Sequence, residues 1–263
     1  MITDAITSTA NSKIKEVVRL SSDSKERRET NLTVVEGLRE VREAYKSNCK
    51  INTIFFEPSI IDESEVEIFK ASRVYSVSKD VYAKIAYRDT TEGIVAVVET
   101  KNLSLEEIEL KSDPLIILLE QIEKPGNIGA VLRTADALSV DLVIVCDSKT
   151  DLYNPNIIRS SLGAIFSNKV SSASSQDALK WIKAHNYSLF AAELNGSIPY
   201  HIASYSSGVV LAFGNESRGL TSQIISESAQ RIKIPMLGSL DSLNISVSAA
   251  IITSEAARQR GFK

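Results

Sequence analysis

The chain has 263 residues, of which 43% are hydrophobic, and a formal net charge of -3, so it is long enough for one large domain or two smaller ones with buried cores. Its two cysteines and two histidines lie far apart in the sequence, which argues against a zinc site or a histidine-based catalytic triad and predicts buried, reduced thiols. The sequence contains no apolar run near the roughly 20 residues that span a bilayer and no signal-peptide pattern at its start, so we expect a cytoplasmic protein without a membrane segment.

The first hundred residues alternate between helical and strand patterns. The spacing of Ile14, Val17 and Val18 predicts a short amphipathic helix over residues 11–20, followed by a charged, serine-rich turn. Strands are predicted at 32–35, 51–56, 74–77 and 94–98, and helices at 37–45, 62–72 and 79–86. This alternation predicts a compact α/β domain over residues 1–98.

A charged segment over residues 99–113 is predicted to be a linker, and a second α/β domain over residues 114–263 follows it. Short apolar runs at 115–119, 142–146, 189–192, 209–213 and 231–234 are typical of parallel strands that are covered on both faces. Helices are predicted over residues 128–138, from Asn154-Pro155 onward, over 178–184 and from about 244 to 260.

Three stretches that combine glycine or proline with polar residues follow predicted strands of the second domain. They are Pro125–Ala135, Phe213–Leu220 and Ile234–Ala250. Ligands of open α/β sheets bind beyond the carboxyl ends of the strands, and glycine allows the backbone to approach a flat ligand closely. The glycine spacing matches neither the dinucleotide-binding motif nor the phosphate loop. We therefore predict a ligand site formed by these three stretches.

The polar residues of these stretches each have more than one interpretation. Arg133 is either a surface arginine or a guanidinium that faces a phosphate or a developing alkoxide. Glu216 is either a turn carboxylate or a group that fixes Arg133 or an asparagine. Asn127 and Asn244 can cap helices, contact the ligand, or do both.

A basic segment near the N-terminus, interrupted by acidic residues, is a candidate RNA-binding surface. Its cations can contact phosphates, or they can form a solvated helix face with intrahelical ion pairs. The candidate RNA-binding residues in it are Lys13, Lys15, Arg19, Arg27 and Arg28.

Taken together, the three polar stretches resemble the signature motifs of the SpoU family, also called the TrmH family, of S-adenosylmethionine-dependent RNA ribose 2'-O-methyltransferases. The resemblance is carried by residues 127–135, 213–220 and 234–251, and residues 151–164 also resemble a segment of that family. Residues 6–11, with Val35-Glu36-Gly37, resemble a small substrate-binding domain that is similar to ribosomal protein L30e. The resemblance covers nearly the whole chain and is more specific in its C-terminal half.

The resemblance implies a C-terminal α/β domain with a parallel sheet and a deep trefoil knot, preceded by a small L30e-like α/β domain. It also implies a homodimer with active sites between the subunits and no metal. The implied catalytic residues are Arg133, Asn127, Glu216 and Asn244. The implied contacts of the cofactor S-adenosylmethionine are Leu194, Asn195, Gly196, Phe213, Gly214, Asn215, Ile234, Pro235, Met236, Ser242, Leu243, Asn244 and Val247. Arg159 joins the candidate RNA-binding residues.

The implied reaction is transfer of a methyl group to a ribose 2'-hydroxyl, with ribosomal RNA preferred as substrate and tRNA as an alternative. Arg133 is implied to be the base or, because arginine stays protonated, an electrostatic clamp on the oxygen and the adjacent phosphate. The rival interpretations are a base-methylating enzyme of the same superfamily, a non-catalytic RNA-binding or ribosome-assembly protein, and an α/β enzyme that uses another nucleotide. The sequence identifies neither the target nucleotide nor a housekeeping or antibiotic-resistance role.

Overall fold

A computed structural model describes the backbone of residues 2–87 and 92–262, and their side chains from residue 5 onward. The elements of the N-terminal part are β1 (Ile2–Ile6), α1 (Ser12–Ser22), α2 (Ser24–Thr30), β2 (Leu32–Glu36), α3 (Leu38–Lys46), β3 (Ile51–Phe56), α4 (Glu63–Glu67), β4 (Arg73–Val77), α5 (Lys79–Ile85) and β5 (Ile94–Glu99). The elements that follow are β6 (Leu115–Glu120), α6 (Pro125–Ala137), β7 (Leu142–Cys146), α7 (Pro155–Ser160), α8 (Ala164–Ser167), β8 (Val170–Ala173), α9 (Ser175–Ala184), β9 (Ser188–Ala192), β10 (Ile198–Pro199), β11 (Val209–Phe213), α10 (Ser222–Glu227), β12 (Gln230–Lys233) and α11 (Ile245–Gln259).

The chain forms two compact units. The first contains the residues up to Lys101 together with Asp151–Ser167, and the second contains Asn102–Thr150 and the residues from Asn168 onward. The segment with α7 and α8 therefore packs with the N-terminal unit, although it lies within the range predicted for the second domain. The predicted domain limits of 98 and 114 remain predictions.

The first unit is built on a five-stranded mixed sheet in the order β1-β4-β3-β5-β2. Strands β1, β4 and β3 run parallel, and β5 pairs antiparallel with both β3 and β2. Its core contains the apolar face of α1, with Ile14, Val17 and Leu20 fully buried. The hydroxyl of Thr33 on β2 donates to the carbonyl of Tyr153 at 2.7 Å, which connects the segment before α7 to this sheet.

Two local predictions for the first unit are wrong. The expected turn after α1 is helix α2, because the side chain of Asp23 accepts a hydrogen bond from the backbone N–H of Lys25 and caps a new helix. That helix ends at Thr30, and its C-cap, Asn31, adopts the left-handed conformation with a φ of 52°. The helix expected over residues 62–72 is limited to α4, and β1 was not predicted.

The second unit is built on a seven-stranded parallel sheet in the order β10-β12-β9-β11-β6-β7-β8. All six residues of β6 are buried, as expected for a central parallel strand with both faces covered. Leu105 and Ile108 belong to the core of this unit, so part of the predicted linker packs there. The predicted α/β class, with a parallel sheet in the C-terminal domain and a smaller domain before it, is confirmed.

Candidate active site

Four neighbouring parallel strands of the second unit, β12, β9, β11 and β6, end beside one cleft. Loops that follow adjacent parallel strands meet at one edge of the sheet, where open α/β folds bind their ligands. The cleft has a volume of about 630 Å³. Its wall includes nine of the predicted cofactor residues: Leu194, Phe213, Gly214, Asn215, Ile234, Met236, Ser242, Leu243 and Asn244.

The cleft wall lacks some of the predicted cofactor residues and contains others that were not predicted. Four predicted cofactor residues, Asn195, Gly196, Pro235 and Val247, do not belong to it. The wall also contains residues that are not among the individually predicted cofactor and catalytic residues: Lys124, Ala192, Glu193, Ser217, Arg218, Gly219, Ile232, Lys233, Asp241, Ile245, Ser248 and Ile252. Half of them lie within the predicted ligand-binding stretches Phe213–Leu220 and Ile234–Ala250. Of these twelve residues, four lie at the ends of β9 and β12, and Ile245, Ser248 and Ile252 share one face of α11, so a strand end or helical spacing was the available signal for these seven.

A buried asparagine shapes the loop after β11. Asn215 is only 4% exposed, and its Nδ2 donates to the carbonyl of Gln121 at 2.9 Å. Its Oδ1 accepts hydrogen bonds from the backbone N–H groups of Ser217 and Arg218 at 2.9 and 3.1 Å. The backbones of Asn215 and Gly219 also exchange hydrogen bonds at 3.0 and 2.9 Å. The loop is therefore a closed hairpin whose outer residues form the cleft wall.

The glycine before this asparagine is required by close backbone packing. A Cβ atom at Gly214 would lie 2.2 Å from the carbonyl carbon of Gly219 and 2.2 Å from the nitrogen of Leu220. Both contacts are with backbone atoms, so a side chain at this position cannot be accommodated without moving the loop.

Three of the four predicted catalytic residues form one hydrogen-bonded network. Asn127 Nδ2 donates to Glu216 Oε1, and Asn244 Nδ2 donates to Asn127 Oδ1 at 3.3 Å. Asn244 also caps α11, because its Oδ1 accepts from the backbone N–H of Ser246 at 2.9 Å. For Asn244, capping and participation in the network are therefore compatible. Glu216 binds an asparagine rather than Arg133.

Arg133, the fourth predicted catalytic residue, lies apart from this network. It is exposed on α6 and forms no hydrogen bond or ion pair with any residue that the structure describes. Six positions separate it from Asn127, which places the two side chains roughly 120° apart around the helix axis. One chain by itself therefore does not bring the guanidinium onto the asparagine and glutamate groups.

The predicted RNA contact of Arg27 needs correction. The side chain is 3% exposed, and its Nε and Nη2 donate to the two carboxylate oxygens of Asp151 at 3.1 and 2.7 Å. Its Nη1 donates to the carbonyls of Leu20 and Ser21 at 2.5 and 3.2 Å. Arg27 is thus a buried, hydrogen-bonded ion-pair residue of the first unit and is not available to a phosphate.

The other predicted RNA-binding residues are more accessible. Arg159 lies over the ring of Tyr87, with its Cζ 4.7 Å from the ring centroid, and its Nη2 donates to Asn156 Oδ1 at 2.8 Å. Tyr87 itself is 66% exposed. The ammonium of Lys13 lies 5.2 Å from the ring centroid of Tyr75. The remaining three, Lys15, Arg19 and Arg28, are exposed.

The cysteines are the buried free thiols that the sequence predicted. Burial raises the pKa of the Cys49 and Cys146 thiols, so both remain protonated near neutral pH. Within residues 2–87 and 92–262, no three His, Cys, Asp or Glu side chains are grouped in a way that could hold a metal ion. No helix in the same ranges is both long and apolar enough to span a bilayer.

Comparison with known proteins places these features in a family. Residues 114–254 match the model of the SpoU rRNA Methylase family, and residues 11–96 match the MRM3-like substrate binding domain. The 23S rRNA (guanosine(2553)-2'-O)-methyltransferase RlmP of Bacillus subtilis (strain 168) is 28% identical over 247 residues, which cover 94% of this chain and 96% of that protein.

Two solved structures are similar over almost the full length of the chain. The crystal structure of an RNA 2'-O ribose methyltransferase matches with a TM-score of 0.86 and 36% identity, covering 98% of this chain and 99% of that one. An AdoMet-bound rRNA methyltransferase from Sinorhizobium meliloti matches with a TM-score of 0.88 and 28% identity, covering 98% of both chains.

The parallel α/β fold, the cleft at its strand ends and these matches define an S-adenosylmethionine-dependent RNA ribose 2'-O-methyltransferase. The chain belongs to the SpoU rRNA methylase family, whose model matches more than half of its length. The predicted family, activity and cofactor are confirmed. The roles of individual site residues stay predictions.

Proposed function

We propose that this protein methylates a ribose 2'-hydroxyl of ribosomal RNA in the cytoplasm. The relative from Bacillus subtilis and the Sinorhizobium meliloti structure are both named as rRNA methyltransferases, and each matches nearly the whole chain, including the N-terminal domain. This breadth supports ribosomal RNA over the tRNA alternative, because the N-terminal domain is the part expected to select the RNA.

The cleft after β12, β9, β11 and β6 has the chemistry that S-adenosylmethionine needs. Phe213, Ile234 and Leu243 provide apolar surface for an adenine ring, and loop backbone groups can bind its edge. The cleft wall contains carboxylates, among them Glu193 and Asp241, and cations, among them Lys233, which suits a ligand with both positive and negative groups. When bound, the cofactor supplies a methyl group on a sulfonium, which is an excellent leaving group.

The network of Glu216, Asn127 and Asn244 carries this proposal, because it places a carboxylate and two amides at the edge of the cofactor cleft. A displacement at the methyl carbon requires the attacking oxygen to be aligned with the bond that breaks. The free donors and acceptors of the two amides can hold a ribose hydroxyl in that position. Glu216 fixes the orientation of the Asn127 amide.

Arg133 is proposed to relieve the charge that develops on the ribose oxygen, as a transient proton acceptor or as an electrostatic clamp. Because it is exposed and separate from the network within one chain, we propose that the predicted homodimer completes the site. A deep trefoil knot in the loops around the cleft is part of the same proposal.

The first unit is proposed to bind the RNA. Arg159 and the exposed ring of Tyr87 combine a cation with an aromatic face, a pairing suited to an unpaired nucleotide. The exposed cations Lys15 and Arg28 can contact phosphates. Arg27 has no part in this surface.

The test is transfer of an isotope-labelled methyl group from S-adenosylmethionine to unmodified rRNA, to tRNA and to ribosomal subunits, followed by nucleoside mass spectrometry. We expect a labelled 2'-O-methylnucleoside from rRNA or from a subunit. Label in tRNA alone would contradict the proposed substrate, and label on a base would contradict ribose chemistry. A folded protein that binds no cofactor would favour the non-catalytic alternative.

A further inference from the structure

The side chain of Glu120, the last residue of β6, is a fully buried carboxylate that binds the far end of the loop after β11. It is 0% exposed, and Oε2 accepts from the backbone N–H of Thr221 at 2.7 Å. Oε1 accepts from the hydroxyls of Thr221 and Ser175 at 2.7 and 2.8 Å. Among the described residues Glu120 forms no ion pair, and its polar contacts are these three hydrogen bonds.

The next residue binds the near end of the same loop. Gln121 adopts a φ of 54°, which is uncommon for a residue other than glycine. Its backbone N–H donates to the carbonyl of Cys146 at 2.9 Å, and its own carbonyl accepts from Asn215 Nδ2 at 2.9 Å. Two consecutive residues of the chain therefore hold both ends of one loop.

We propose that Glu120 and Gln121 form a clamp that positions the loop from Gly214 to Gly219 against the cofactor cleft. Every residue of that loop lines the cleft, and one of them, Glu216, belongs to the catalytic network. The inference rests on the proposed function in taking this cleft as the cofactor site. Glu120 and Gln121 are positioning residues, since they act through the loop.

The hydroxyl of Thr221 is the critical connection in this clamp. It donates to Glu120 and also accepts from the backbone N–H of Ile224 at 3.5 Å, as the N-cap of α10. One hydroxyl therefore joins the end of the loop both to the central strand and to the following helix. Ser175 donates to the same carboxylate from α9 and does not belong to the loop, so it offers a matched control.

The test compares Thr221→Val with Ser175→Ala in the full-length protein, since each variant removes one hydroxyl donor to the same carboxylate. Two quantities are measured: the Kd for S-adenosylmethionine, by calorimetry, and the rate of tryptic cleavage after Arg218, an exposed loop residue, relative to cleavage after Lys25 on α2. The loss of a hydrogen bond to a charged group predicts that Thr221→Val weakens cofactor binding about 10-fold or more.

We further expect Thr221→Val to raise the relative cleavage after Arg218, and Thr221→Ser to restore both quantities. Ser175→Ala should leave Kd and relative cleavage near wild type even if it lowers the midpoint of thermal unfolding. The clamp is refuted if Thr221→Val and Ser175→Ala change the Kd and the relative cleavage equally. It is also refuted if Thr221→Val leaves both quantities at their wild-type values.

If Thr221→Val does not fold, Asn215→Asp tests the other end of the loop with the same two measurements. It removes the donor to Gln121 but keeps Oδ1 as the acceptor for Ser217 and Arg218. We expect weaker cofactor binding and faster cleavage after Arg218, and wild-type values overturn the clamp.

One more variant separates this inference from the proposed function. Ser248→Phe places a bulky ring in the cleft from α11, outside the loop and the clamp. If the Kd for S-adenosylmethionine does not change in Ser248→Phe, the proposed location of the cofactor site fails. Cleavage after Arg218 still decides the clamp, because it is measured without the cofactor.

Discussion

Removal of the Asp151 carboxylate is expected to destabilise the first unit by several kcal/mol. The side chains of Arg27 and Asp151 are 3% and 9% exposed, and two hydrogen bonds of 3.1 and 2.7 Å join them. Asp151→Ala leaves a buried guanidinium without its counter-charge, which typically costs about 3–5 kcal/mol. An exposed pair on α2 gives the contrast: Lys25 and Glu29 are 3.7 Å apart and 72% and 64% exposed, so Glu29→Ala should cost about 1 kcal/mol or less.

The assay is urea unfolding followed by circular dichroism, with wild type, Asp151→Ala and Glu29→Ala measured in parallel. Replacement of both partners, as in Arg27→Met with Asp151→Leu, should cost less than Asp151→Ala, because no unpaired charge remains in the core. Equal midpoints for Asp151→Ala and Glu29→Ala would refute the reasoning. So would an Arg27→Lys variant that loses RNA affinity at unchanged stability, since that result would make Arg27 an RNA contact.

Three further predictions concern the site and the core. Arg133→Ala should lower methyl transfer by about 10²–10³-fold, the usual effect of removing one charge stabiliser, with the calorimetric Kd for S-adenosylmethionine unchanged; normal turnover would exclude the proposed role. Gly214→Ala should abolish cofactor binding because its Cβ would lie 2.2 Å from loop backbone, whereas Gly126→Ala, with nothing within 4 Å, should bind normally; equal affinities would contradict this. Burial raises the pKa of Tyr153 from 10.0 to about 12, so between these values only the unfolded state ionises and stability falls as pH rises. Urea unfolding measured at alkaline pH should show that, between these two pKa values, the free energy of unfolding falls by about 2–3 kcal/mol less in Tyr153→Phe than in wild type. Identical pH profiles of the two proteins would argue against a raised pKa of Tyr153.

The sequence predicted most strands of the second unit because a parallel strand covered on both faces needs a continuous apolar run. The runs at 142–146 and 209–213 coincide with β7 and β11. Local capping chemistry also placed the start of α7, where Asn154 is the N-cap and Pro155 the first helical residue. Asp23 caps α2 in the same way, but the charged and serine-rich residues around it led to the prediction of a turn instead of a helix.

The sequence by itself determined which residues were candidates for the site, because the motifs at 127–135, 213–220 and 234–251 that resemble the family are each local in the chain. Only the tertiary structure decided their partners. Asn127 meets Glu216 across 89 positions and Asn244 across 117, since the order of the parallel strands brings distant loops to one edge of the sheet. Packing likewise decided that Arg27 is buried against Asp151, 124 positions away, while Arg28 beside it stays exposed. The two arginines are adjacent in one charged segment, and nothing in the sequence distinguishes them. Only the fold determines that Arg27 forms a buried ion pair and that Arg28 is a surface cation.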